Sequence, residues 1–435
     1  MPNLIERLAK NVEKRLKTIG CERPSFSVQK ALLETAYHAT LRTEEGRLIR
    51  GSITYTHPKP RPEDGPARRR ADYPGLWPLS RRLPLTVERL VKLSRAIDMW
   101  SGSIGVYGTK VMELHIWGVV DQLVQYNVRI NLEGDDGFYN PGMLHIMMDG
   151  VGDLTVYHRG IFLGGLRGHQ LIIREYDALR TAMFVERIVP HLARPAEAIR
   201  VVLGSAESPV GVLVNTWINT VYRLCIGLRR YSTGGTLLIT PSPQIDQLEI
   251  SYKFNYRRLG DAVILSVLDN EYREACQQRI RHEKSEGTVQ PETITNWSLA
   301  QADAEDRQSE LTAAVKVFTS LASLDGLVLL SPALHVQGFG VKIKTGDRVG
   351  TVYDGAGFER HGVNAKKIDP SRFGTRHNSV LRYCRVDKNA IGVVISQDGH
   401  VRMAMSTGRS LVLCDNVKLL GYNSFSLHSV GQVQR

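Results

Sequence analysis

The run Gly234-Gly235-Thr236-Leu237-Leu238-Ile239-Thr240 limits the possible folds most sharply. A glycine turn leads into it, Pro241 and Pro243 end it, and its apolar centre does not alternate with polar residues. A short apolar run bounded by turn residues reads as a buried strand. Residues 327–330 and 391–396 have the same character, and 336–343 and 401–405 read as further strands. Leu311, Ala314, Val315, Phe318, Leu321 and Ala322 mark one face of a helix that stops at Asp325-Gly326. The expected class is α/β (α+β), with a C-terminal mixed sheet flanked by helices and an N-terminal helical plus antiparallel β region.

In the N-terminal half, Leu4, Leu8, Val12 and Leu16 recur every fourth residue, which predicts an amphipathic helix over 1–20. A second helix is expected over 27–41. Residues 57–84 hold seven prolines and the basic clusters Arg68-Arg69-Arg70 and Arg81-Arg82, the pattern of an extended loop. Strands with Gly turns then follow closely at 103–108, 111–118, 143–148, 154–157 and 161–163, the pattern of an antiparallel unit. Gly164-Gly165-Leu166-Arg167-Gly168 is no P-loop, because no Gly-Lys-Ser/Thr follows it. His115, His145 and His158 lack Cys or acidic partners at ligand spacing and read as sheet residues. Helices are expected from Asp177 to about His191, ending near Pro195, and over 210–228. Residues 268–310 are highly charged and read as partly helical, broken at 283–287. The expected domains are 1–84, 85–204 and 205–420, with insertions near 265–310 and 344–370 and a loose tail over 421–435.

The formal net charge of +12 favours anionic partners: nucleotides, nucleic acid or an acidic protein. No apolar run approaches the roughly 20 residues of a membrane span, and charges throughout residues 1–20 argue against a secretory signal. The five cysteines are scattered singly, so neither a zinc knuckle nor a disulfide framework is suggested. A cytoplasmic protein is the expectation.

One stretch carries chemistry. Gly374-Thr375-Arg376-His377-Asn378-Ser379 stands at the start of a helical run, where the first backbone N–H groups have no intrahelical acceptor. With Arg and His beside them, those groups form an anion site suited to phosphate. An ordinary loop-to-helix cap with a surface Arg has the same letters, so the neighbours of the motif must decide.

The Gly-Gly-Thr-Leu-Leu-Ile strand, the helix–Asp-Gly–strand unit, Gly-Thr-Arg-His before a helix, and a strand ending in Ser396-Gln397 occur in this order. Together they resemble the diadenylate cyclase (DAC) domain family, which includes the DNA-integrity-scanning cyclases, over about residues 205–410. Asp325-Gly326-Leu327 is placed at the family's Asp-Gly-Ala position because it joins a helix to a strand. Asp354-Gly355-Ala356 matches the letters better and is read as loop.

The resemblance implies two ATP molecules joined across facing domains, each 3′-hydroxyl attacking an α-phosphate with pyrophosphate leaving, and hence a homo-oligomer. It implies Asp325 as ligand for Mg²⁺ or Mn²⁺, and Asp325, Arg376 and His377 as catalytic residues if the domain is active. Gly235, Leu237, Gly326, Leu327, Gly374, Thr375, Arg376, His377, Asn378 and Ser396 would contact nucleotide. Asn378 stands where the family has a second Arg, and Leu327 where it has Ala; both weaken the case for turnover. The segments 115–118 and 152–156 resemble the N-terminal region of a predicted nucleotide-sensor branch (DACNV-like), found in bacterial defence or regulatory settings. A sensor of an adenine nucleotide or cyclic dinucleotide therefore ranks first and an active diadenylate cyclase second. A basic nucleic-acid binder using 57–84 ranks third, and no membrane partner is expected.

Overall fold

The computed structural model describes residues 4–19, 23–58, 75–97, 102–121, 144–158, 161–167, 170–173, 176–230, 234–396 (save 323, 345 and 347), 400–408, 410–415, 417 and 419. Arg68-Arg69-Arg70, the Asp398-Gly399 turn and the tail 421–435 lie outside them. The chain divides into two compact units, Met1–Glu175 and Tyr176–Arg435. This moves both expected inner boundaries. The one at 84 falls inside a single sheet, and the one at 204 shifts to 175.

In the first unit, helices α1 (Leu4–Ile19) and α2 (Phe26–Thr40) share a core with an eight-stranded sheet. Ile5, Leu8, Ala9, Val12 and Leu16 form the buried stripe of α1, as the four-residue repeat requires. Ser25 caps α2 by accepting from the Val28 N–H at 3.4 Å. The strands are β1 (Gly51–Tyr55), β2 (Leu76–Pro84), β3 (Gly102–Tyr107), β4 (His115–Asp121), β5 (Leu144–Gly150), β6 (Asp153–His158), β7 (Ile161–Arg167) and β8 (Gln170–Ile172). Their order is β8-β7-β6-β5-β1-β3-β4-β2.

Three local expectations need correction. First, the sheet is antiparallel except that β1 runs parallel to β3, with helix α3 (Val87–Ala96) in the connection between them. Second, the end of the Pro-rich segment is not loop. β2 pairs with β4 at the sheet edge, with a shift in register between Pro78 and Leu83, and an edge tolerates proline because half its N–H groups need no partner. Third, Val111–Glu113 is a 3₁₀ turn, so strand begins only at His115.

The second unit is built on a nine-stranded mixed sheet. Its strands are β9 (Gly235–Ile239), β10 (Leu248–Tyr256), β11 (Leu327–Leu330), β12 (Val336–Ile343), β13 (Val352–Asp354), β14 (Lys367–Ile368), β15 (Ile391–Ile395), β16 (Val401–Thr407) and β17 (Ser410–Cys414). Their order is β10-β12-β11-β9-β15-β16-β17-β13-β14. The three apolar runs β9, β11 and β15 are buried throughout and adjacent, as expected of strands covered on both faces. Helices α4 (Ala182–Leu203), α5 (Val210–Arg230), α6 (Arg258–Ser285) and α7 (Pro291–Leu321) come before the site motif. After them come α8 (Gly355–His361) and α9 (Thr375–Val386).

Helix α4 runs through both Pro190 and Pro195, contrary to the expected stop. Its stripe Phe184, Ile188, Leu192, Ala196 and Ile199 is buried at near-regular i, i+4 spacing across both prolines, so packing offsets the lost backbone bonds. The expected insertion over 265–310 is a hairpin of α6 and α7, with its turn close to the expected break. The expected insertion over 344–370 is not loop. It supplies β13, α8 and β14 to the far edge of the sheet, where β13 runs parallel to β17.

Candidate functional site

Strand pairing decides which predicted residues meet. β9 runs parallel to β11, with Leu237 opposite Val328, so both strands begin at the same end of the sheet. β15 runs antiparallel to β9, with Gly235 opposite Ile395, so β15 finishes at that end. β16 starts there, with Val401 opposite Ile395. Gly235, Asp325-Gly326 and Ser396, drawn from three separated stretches of sequence, thus share one sheet end.

Helix α9 packs on β15 and β16 through Val380, Leu381 and Cys384. Its N-terminus is brought to the same end by a residue that the sequence reading missed. Arg402 Nη1 lies 3.2 Å from His377 Nε2 and donates to Ser396 Oγ at 3.2 Å. A guanidinium has no lone pair to offer, so His377 Nε2 is the acceptor and its ring proton sits on Nδ1. Arg402 Nε also pairs with Asp415 Oδ1 at 2.8 Å, and the guanidinium carbon lies 5.1 Å from the centre of the Phe373 ring. The Arg402 side chain is only 11% exposed. The available signal was an Arg beside the hairpin in an otherwise apolar strand, Val401-Arg402-Met403-Ala404-Met405.

At the start of α9, Gly374 is the N-cap and has no side chain to satisfy the helix N–H groups. Gly374, Thr375 and Arg376 are exposed. Asn378 turns inward along the chain: its amide donates to the Phe373 carbonyl at 2.8 Å and ties the loop to the first helical turn. The geometry is that of an anion seat, with backbone N–H groups, a hydroxyl and a guanidinium on the outside and a fixed His behind them.

Asp325 is exposed, between the end of α7 and the start of β11. Gly326 has φ +114°, and a Cβ there would sit 2.7 Å from the Gly340 carbonyl carbon. Only glycine makes this turn without strain. Leu237 and Leu327 do not offer side chains to a ligand. Leu237 is fully sequestered, and Leu327 belongs to the core beneath α9, so their expected nucleoside contact is confined to backbone. Asp354 is not a plain loop residue; it ends β13 and caps α8, accepting from the Gly357 N–H at 2.9 Å.

Among the described residues no three His, Cys, Asp or Glu side chains cluster as metal ligands. Of the two carboxylates placed here, Asp415 is paired with Arg402, and the donor left to offer a metal is Asp325. That fits Mg²⁺ or Mn²⁺ only when ligand phosphates complete the shell. A cleft of about 420 Å³ lined by Met183, Arg187, Pro241 and Asn389 lies at the opposite end of β9 and β15, away from these residues.

No curated protein and no solved structure matches the chain. Among the described residues no helix is long and apolar enough to cross a membrane. Residues 21–121, within the first unit, match the family model described as "Probable sensor domain DACNV", which supports the DACNV-like sensor branch anticipated from the sequence.

Proposed function

We propose that the second unit binds an adenine nucleotide or cyclic dinucleotide at this sheet end and acts as the ligand-binding part of a sensor. The observation that supports this is the meeting of Gly235, Asp325-Gly326, Ser396 and the N-terminus of α9 at one end of β9, β11 and β15. Phosphate oxygens would lie against the Thr375 hydroxyl, the Arg376 guanidinium and the first N–H groups of α9. Arg402 would hold His377 and Ser396 in place from behind. Asp325 would hold Mg²⁺ or Mn²⁺ against the phosphates, and the metal would neutralise their charge.

Titration calorimetry of the whole chain with ATP and with cyclic di-AMP, in Mg²⁺ and in Mn²⁺, tests the reading. Binding that Arg376→Ala weakens is expected, and no heat with either ligand would sink it.

A second reading, an active diadenylate cyclase, is favoured by the exposed Asp325 carboxylate at the same sheet end as His377. Two ATP would then yield one cyclic di-AMP and two pyrophosphates, each 3′-oxygen forming a bond to the other's α-phosphorus as a pyrophosphate leaves. Incubation with ATP and Mn²⁺ followed by chromatography separates the readings. Product that disappears in Asp325→Asn supports the cyclase, and its absence leaves the sensor.

A further inference from the structure

The other end of the sheet order is an open edge. β10 is the terminal strand and pairs only with β12 among the described residues. Across that pair the Lys344 N–H donates to the Gln247 carbonyl at 2.9 Å. Antiparallel pairing alternates, so odd-numbered residues of β10 turn their backbone groups toward β12. Up to the register shift after Lys253, even-numbered Leu248, Ile250 and Tyr252 turn theirs outward. Glu249, Ser251, Tyr252, Lys253 and Phe254 are exposed. Tyr252 stacks on Phe339 at 4.9 Å and Phe254 meets the same ring edge-on at 5.8 Å, so the exposed aromatic row is held in place. The pairing with β12 keeps one register from Leu248 to Lys253 and shifts only between Lys253 and Tyr256, and a strand with outward N–H and C=O groups and fixed exposed rings is a template for another strand.

The side chains select which strand. We propose that the occupant is β10 of a second copy, paired antiparallel about a twofold axis at Ser251. In that register Ile250 and Tyr252 of one copy exchange backbone hydrogen bonds with Tyr252 and Ile250 of the other. Leu248 and Phe254 stand opposite each other at the ends of this stretch, where the regular register stops. On one face Glu249 stands opposite Lys253, twice, with Ser251 against Ser251 between them. On the other face apolar residues meet only apolar residues. Sliding the strand by two residues in either direction keeps the backbone bonds but sets Glu249 and Lys253 against uncharged partners: Ser251 and Gln247, or Asn255 and Ser251. One register alone satisfies charge and apolar pairing together, as a self-complementary twofold interface requires. The existing Lys344–Glu249 contact, at 3.7 Å and about half exposed, is too weak to compete. This proposal is independent of what the site at the ends of β9, β11 and β15 binds.

Sedimentation velocity of the full chain over a concentration series is the test, with circular dichroism to confirm folding of each variant. A concentration-dependent dimer is expected. Glu249→Lys or Lys253→Glu alone places like charges opposite each other twice and should weaken it about tenfold or more. The double reversal E249K/K253E restores opposite charges and should bring dimerisation back to the range of the unaltered chain. Ser251→Cys should give, on mild oxidation, a covalent dimer whose linking peptide contains position 251 from both copies, because Cα atoms at such a non-hydrogen-bonded pair are only about 4.5 Å apart. A chain that stays monomeric, whether or not its edge captures a strand of another protein, overturns the proposal. So does a dimer indifferent to the single reversals, or one that the Ser251→Cys substitution fails to link.

Discussion

Arg402 and Gly326 hold the candidate site in place by different means, and each can be changed alone. Arg402 reaches His377, Ser396, Asp415 and the Phe373 ring at once. A lysine at this position keeps the charge beside Asp415 but loses the planar fork that serves His377 and Ser396 together. Arg402→Lys should therefore leave the chain folded and lower nucleotide affinity about tenfold by calorimetry. Gly326 acts through backbone. Its φ of +114° and the 2.7 Å approach to Gly340 make any side chain there strained. Gly326→Ala should cost about 1–3 kcal/mol of stability, read as a lower urea midpoint, because both dihedral strain and a backbone clash must be relieved. The Asp-Gly pair at a helix end marked this turn in the sequence. Arg402 was harder to see, because strand alternation makes it look like one outward residue of a hairpin, and only the register with Val394 places it beside the helix.

The α6–α7 hairpin divides along its length. Near the sheet it is anchored by Leu259, Val263 and Val267 on one helix and by Leu311, Val315 and Phe318 on the other. Farther out it carries ionic pairs such as that of exposed Arg279 with the mostly covered Glu283, and Ile294 and Leu299 face solvent. Phe318→Ala should destabilise the unit by about 3–5 kcal/mol, since a buried aromatic leaves a cavity. Replacing 272–298 by a short turn should change the urea midpoint little, as surface pairs contribute about 0–1 kcal/mol each. Both outcomes are read by chemical unfolding. The long charged pattern with a central break conveyed a helical insertion. β13, β14 and β2 were not legible: two have three residues or fewer, and β2 is an edge strand whose Pro78, Arg81 and Arg82 are exposed, so neither length nor alternation announced them. Pro190 and Pro195 misled for a related reason, because local propensity predicted a stop where a buried stripe carries the helix on.

For the second unit as a whole, buried thiols set an alkaline limit. Burial pushes Cys225 on α5 and Cys384 on α9 from an ordinary 9.0 up to about 12. Both are acids whose folded form holds its proton longer than the unfolded chain does. Their contribution is therefore complete below pH 9 and is lost as pH rises from 9 toward 12. Unfolding free energy should fall across that window, and the double variant Cys225→Ala, Cys384→Ala should fall less steeply in pH-resolved urea titrations. The division of the chain at 175 was not legible at this scale, because the 51–55 strand joins partners that lie far on in the sequence. The covered sheet of the second unit was legible, because its central strands are uniformly apolar runs.

The parallel pairing of β13 with β17 has a consequence for how the protein comes into being. Val352 meets Leu411, so everything from α8 through the 401–407 strand forms a loop whose two ends are clasped together. That loop contains the whole Gly374–Ser379 motif, Ser396 and Arg402. During synthesis β9 and β11 emerge long before residue 411, but the clasp has no second half until 410–414 has left the ribosome. The proposed anion seat is therefore the last part of this unit to take shape, and a nascent chain halted before Ser410 should carry a helical hairpin and a partial sheet with no phosphate affinity.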